Sequence, residues 1–185
     1  MNKKKFIVII TITCIGFLLL GYKIFKPAPS PVITEEVKIE REFQRNLAAS
    51  WYETHQKNID QLDRNFRSFQ DIFEGMREGK LSYEEAHTRL LDLEENARNT
   101  LSNIRNNVPD TRLSDNYYDL IAAIRDKTVR YAEAAYHVTG KVRVALENNA
   151  DYDTLDNIRV RDIPTGLFVA NEVVNLREAL EVKDG

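Results

Sequence analysis

The chain has 185 residues, with 26 Lys and Arg against 29 Asp and Glu, 43% hydrophobic residues and a single cysteine. That length suits one domain with a real core, and one cysteine excludes an intramolecular disulfide framework, a thiol redox pair and a zinc cluster. No acidic residue precedes Glu35, so beyond residue 34 the 29 acids face 21 Lys and Arg, a net charge of −8. Such a surface repels phosphate, which argues against nucleic acid as a partner.

Met1-Asn2-Lys3-Lys4-Lys5 is followed by an apolar run, Phe6 to Phe25, interrupted only by Lys23 near its end. A helix needs roughly 20 residues to cross a ~30 Å hydrocarbon core, and Lys23 is placed to snorkel to the headgroups. The reading is a cytoplasmic tail over 1–5 and a transmembrane anchor over 6–25, with the amino terminus cytoplasmic. A cleaved signal peptide fits poorly, because the best site, Ala28-Pro29-Ser30, is followed by Pro31 and preceded by two lysines. Lipidation at Cys14 has a poor lead-in in Thr11-Ile12-Thr13, and the apolar run lacks the glutamate of a pilin-like segment. Cys14 therefore reads as a small hydrophobe within the span. With only five residues before the anchor, no output domain is expected on the cytoplasmic side. The lack of any Asn-x-Ser/Thr sequon favours a bacterial envelope.

Residues 26–33 hold three prolines and form a stiff spacer. Thr34-Glu35-Glu36 then opens a long helix with acids in its first turn. Ala48, Tyr52, His55, Ile59, Leu62, Phe66, Phe69, Phe73 and Met76 follow one another by alternating steps of four and three, a heptad seam. Ser82-Tyr83-Glu84-Glu85 is a capping box, and the second helix places Tyr83, Ala86, Leu90, Leu93, Ala97, Leu101, Ile104 and Val108 at the same spacing. A third helix is expected over 111–149, with Thr128 among its seam positions. A connector over 150–163 and a short fourth helix with Val169, Val173, Leu176 and Leu180 complete the chain. The fold class is all-α: an amino-terminal transmembrane helix, then an antiparallel up-down bundle over 34–185 of three long helices and a shorter fourth. At 1.5 Å per residue, helix one spans roughly 63 Å, helix two roughly 39 Å and helix three roughly 58 Å. Helix three should thus overshoot the distal tip unless it bends near Gly140.

Few constellations could carry chemistry. Glu84-x-x-His87 has the spacing of a bundle metal ligand pair, but Glu84 sits off the seam and no second copy exists. No Gly-x-Ser-x-Gly elbow and no phosphate-cradling glycine loop is present, so no catalytic residue, metal or cofactor is expected. Phe43, Leu47 and Trp51 form an i, i+4, i+8 stripe where helix one lacks neighbours by the length argument. They read either as an exposed apolar patch for a partner or second copy, or as a face buried under helix four or the 150–163 connector. His55 lies on the seam as a core polar residue setting register, or as a ligand. The leading expectation is an anchored envelope bundle acting through protein partners as scaffold, assembly factor or accessory subunit. A small-ligand sensor bundle signalling through a partner stands second, and a metal-dependent enzyme a distant third.

Overall fold

The computed structural model describes residues 34–164 and 169–181. Among them are five helices and no strand: α1 (Glu35–Arg77), α2 (Tyr83–Asn106), α3 (Asp115–Glu147), α4 (Tyr152–Asp162) and α5 (Ala170–Glu181). The expected tail, anchor and spacer over 1–33 lie outside the described residues. Among the described residues no helix is long and apolar enough to cross a membrane.

Each turn follows from its residues. α1 starts where the Lys38 N–H donates to the Thr34 carbonyl, with Glu35 and Glu36 in its first turn. It ends in a Schellman motif: the Lys80 N–H reaches Gly75 O, the Gly79 N–H reaches Met76 O, and Gly79 has φ +67°. The capping box at Ser82 and Glu85 then opens α2 with both reciprocal bonds present. α3 ends in the same motif with Asn149 at φ 59° in the glycine position, and Ala150 N–H donates to Ala145 O. Gly79→Ala should cost about 1 kcal/mol and Asn149→Gly should gain up to about 1 kcal/mol, read from urea midpoints.

The described residues from Ile39 onward form one unit in which the chain direction alternates. Phe69, Ile72, Phe73 and Met76 of α1 pack with Ala86, Leu90 and Leu93 of α2, Val138, Val142 and Leu146 of α3, and Leu155 of α4. At the other end, Ala48 and Trp51 of α1 pack with Leu113, with Ile121 and Ile124 of α3, and with Leu176 of α5. Between these lies a middle layer of Leu62, Leu101, Ile104 and Ala132. The fourth leg of the bundle is therefore made of two pieces, with α4 closing one end and α5 the other.

Four expectations need correction. The 150–163 stretch is a helix, α4, capped by the Asp151 carboxylate, which accepts from Thr154 N–H at 2.9 Å. α3 starts at Asp115 instead of 111, because Asp110 Oδ1 accepts from Arg112 N–H at 2.9 Å and closes a side-chain turn in place of a helix cap. Arg112 also holds the Asp110 carboxyl down at about 2. The third correction is that α3 does not overshoot. Gln44 Nε2 donates to Arg112 O and Gln44 Oε1 accepts from Ser114 N–H, while Trp51 Nε1 donates to Asn107 O. The 107–114 connector thus climbs α1 from Trp51 to Gln44, roughly 10 Å along the helix. α3 then begins level with Gln44, and it runs unbroken through Gly140 to end beside Phe73 and Met76. Tyr83 and Val108, expected inside, are exposed.

Candidate functional site

Phe43, Leu47 and Trp51 do not form one exposed stripe. Each i, i+4 step advances about 40° around a helix of 3.6 residues per turn, so Phe43 and Trp51 stand about 80° apart. Exposure falls accordingly along the series. Phe43 is 39% exposed, Leu47 is half-buried against the Trp51 and Leu113 cluster, and Trp51 is 6% exposed. Trp51 is enclosed by α3 and α5 residues and by the connector, and the 150–163 stretch plays no part in that cluster. Phe43 keeps one face toward solvent and takes the Arg112 guanidinium over its ring at 5.4 Å. Ile39, one turn earlier, is 61% exposed.

His55 is inside, at 1% exposure, and its ring stacks on Trp51 with centroids 4.5 Å apart. Its Nε2 lies 3.2 Å from Thr128 Oγ1, and Thr128 Oγ1 donates its own proton to Ile124 O at 2.8 Å. The hydroxyl must therefore accept, which assigns the proton of the neutral imidazole to Nε2. Nδ1 is buried without a hydrogen-bond partner. Burial lowers the pKa from 6.5 to about 4, so the ring is neutral at pH 7.

Polar groups at the end of α2 complete this layer. Arg125 Nη2 donates to Arg105 O at 2.7 Å, a cation on the carbonyls of a helix terminus. It ties the end of α2 to α3, while the Trp51 and Gln44 bonds fasten the connector to α1. Sequence reasoning missed Gln44 and Arg125. The signal for Gln44 was its position seven residues before Trp51, one heptad along the same face.

The Glu84-x-x-His87 pair is not a ligand set. Glu84 is exposed, and His87 Nε2 lies 3.0 Å from Glu147 Oε1, which lowers the Glu147 pKa chiefly through that bond. Among the described residues no group of three or more His, Cys, Asp and Glu is arranged to hold a metal ion. A wide groove beside α3 and α4 has Tyr136, Val144 and Ile158 in its walls. Its cations are already matched to acids: Lys141 and Arg161 to Asp162, and Arg143 to Glu94 and Glu147. No protein-family model, curated protein or solved structure matches the chain.

Proposed function

We propose that this protein is a single-pass membrane protein, anchored by residues 6–25 with its amino terminus cytoplasmic and its bundle outside the cytoplasm. It acts by binding protein partners, as a scaffold, assembly factor or accessory subunit of an envelope complex, and not as an enzyme. The support for the anchor is the length and flanking charge of the apolar run. The observation that carries the docking role is the exposed pair Ile39 and Phe43, one turn apart on α1, beside a connector held rigidly by Gln44 and Trp51. Apolar side chains on a rigid surface bind partners at low ordering cost.

The test is photo-crosslinking in the native membrane from position 43, with Lys57 on the exposed face of α1 as control. A discrete partner or a second copy should crosslink from 43, and Ile39→Asp should abolish that product while leaving the helical content unchanged. Identical products from 43 and 57 would defeat the reading. Trp51→Asp is unsuitable because it would place a charge in the core. A second reading, a bundle that binds a small ligand and passes its signal to a partner, is favoured by a polar groove between α1 and α2.

A further inference from the structure

We infer that the groove between α1 and α2 binds a small polyhydroxylated anion, its carboxylate or phosphate group held by Arg64 and Arg89. The inference goes beyond the docking role and does not depend on it.

The groove has a volume of about 370 Å³ and is walled by Gln61, Arg64, Asn65 and Asp71 of α1 and by Arg89 and Asn96 of α2. Its floor is an amide ladder that an ordinary helix contact does not need. Gln61 Nε2 donates to Asn65 Oδ1 at 2.9 Å, Asn65 Nδ2 donates to Thr100 Oγ1 at 3.3 Å, and Thr100 Oγ1 donates to Asn96 O at 2.7 Å. Asn65 is 8% exposed and Thr100 2%. Apolar residues at these two positions would pack the helices at no desolvation cost, so the ladder calls for a role besides packing.

That role is to aim Arg64. Its Nε and Nη2 both donate to Gln61 Oε1, at 3.1 and 2.7 Å. A neutral amide thus fixes the guanidinium plane, with no carboxylate in direct ion-pair contact and Asp71 as the one acid on the groove walls. Most arginines in the described residues sit within ion-pair distance of a carboxylate, among them Arg67, Arg105, Arg143 and Arg159. Arg64 does not, and Arg89 across the groove acts on Glu85 only at longer range. Two guanidinium side chains lining one cleft supply the forked donors that suit the oxygens of a carboxylate or phosphate. The Asn96 amide and the Asp71 carboxylate on the same walls offer an acceptor and donor set for hydroxyl groups. A bare anion would leave both unused, which is why the inference specifies a polyol.

The experiment titrates the full chain in detergent with D-glucuronate, glucose 6-phosphate and inorganic phosphate, following the side-chain NH₂ resonances of Gln61, Asn65 and Asn96 by NMR. Saturable shifts at these amides are expected for one of the sugar anions. Affinity should fall at least about tenfold in Arg64→Gln and in Arg89→Gln, the loss of one charged hydrogen bond each. Gln61→Leu should weaken binding while leaving both cations in place, because Arg64 is then no longer aimed. Absence of saturable shifts up to ~10 mM for both sugars, or unchanged affinity in both arginine variants, would overturn the inference. Inorganic phosphate binding as tightly as the better sugar anion would overturn the polyol assignment.

Discussion

Replacing Trp51 by alanine should destabilise the bundle by about 3–5 kcal/mol, the usual cost of emptying a buried tryptophan site. The indole does three jobs at once. It fills the space between Ala48, Ile124 and Leu176, it stacks on His55, and its Nε1 holds the Asn107 carbonyl at 2.9 Å. Trp51→Phe keeps most of the volume and loses the hydrogen bond, so it should cost about 1–2 kcal/mol. Urea unfolding of the full chain measures both. Amide hydrogen exchange adds the structural readout: in Trp51→Ala, protection should drop first across 107–114 and at the start of α3. The layer around Phe69, Phe73 and Leu155 should stay protected, because it shares no side chain with the Trp51 cluster. Uniform loss of protection along the chain would mean that the connector is not fastened in the way described.

The same residue shows where sequence reading ran short. The sequence pattern on α1 marks one narrow seam, and its row at Ala48, His55, Leu62, Phe69 and Met76 is buried. The second row of that seam, Tyr52, Ile59, Phe66 and Phe73, is the more apolar of two neighbours. Of these only Phe73 is fully buried, and the row one residue earlier supplies Gln44, Trp51, Asn65 and Ile72. Polar residues at 44 and 65 concealed that row, and both are buried because they hydrogen-bond, Gln44 to the connector and Asn65 to Thr100. A helix touched by α2, α3 and α5 needs a face wider than a two-row coiled-coil seam. The number of legs, their alternating direction and the capping box at Ser82 and Glu85 were legible from periodicity and local chemistry. α4 was not, since its run holds only Leu155 as a fully buried residue and its cap is a single Asp151 to Thr154 bond. The connector was not either, because its path is set by two side chains more than fifty residues away.

Acid should weaken this protein well before its carboxylates titrate, and His55 is the cause. Its pKa is lowered from 6.5 to about 4 in the folded state, so the folded chain binds fewer protons than the unfolded one between those values. Stability is then complete above pH 6.5 and falls as pH drops toward 4. The slope approaches about 1.4 kcal/mol per unit and the total about 3 kcal/mol. The structural reason is the Nδ1 atom: a proton there would be a buried donor with no acceptor, beside an indole face. His55→Leu removes the titrating group and leaves Thr128 bonded to Ile124 O. Its stability should be nearly flat between pH 6.5 and 4.5, where the parent chain declines. Below that range both proteins should weaken together as Glu85, Glu147, Asp151 and Glu172 take up protons. Each of these carboxyls has a lowered pKa and so contributes stability only while ionised. Urea midpoints across this range decide the matter: parallel profiles for the two proteins would place the acid sensitivity elsewhere. A steeper decline in the parent would make the layer shared by Trp51, His55 and Thr128 the first part of the bundle to yield. That layer fastens the connector behind Phe43, so mild acid should also reduce the crosslinking from position 43 on which the docking role is tested.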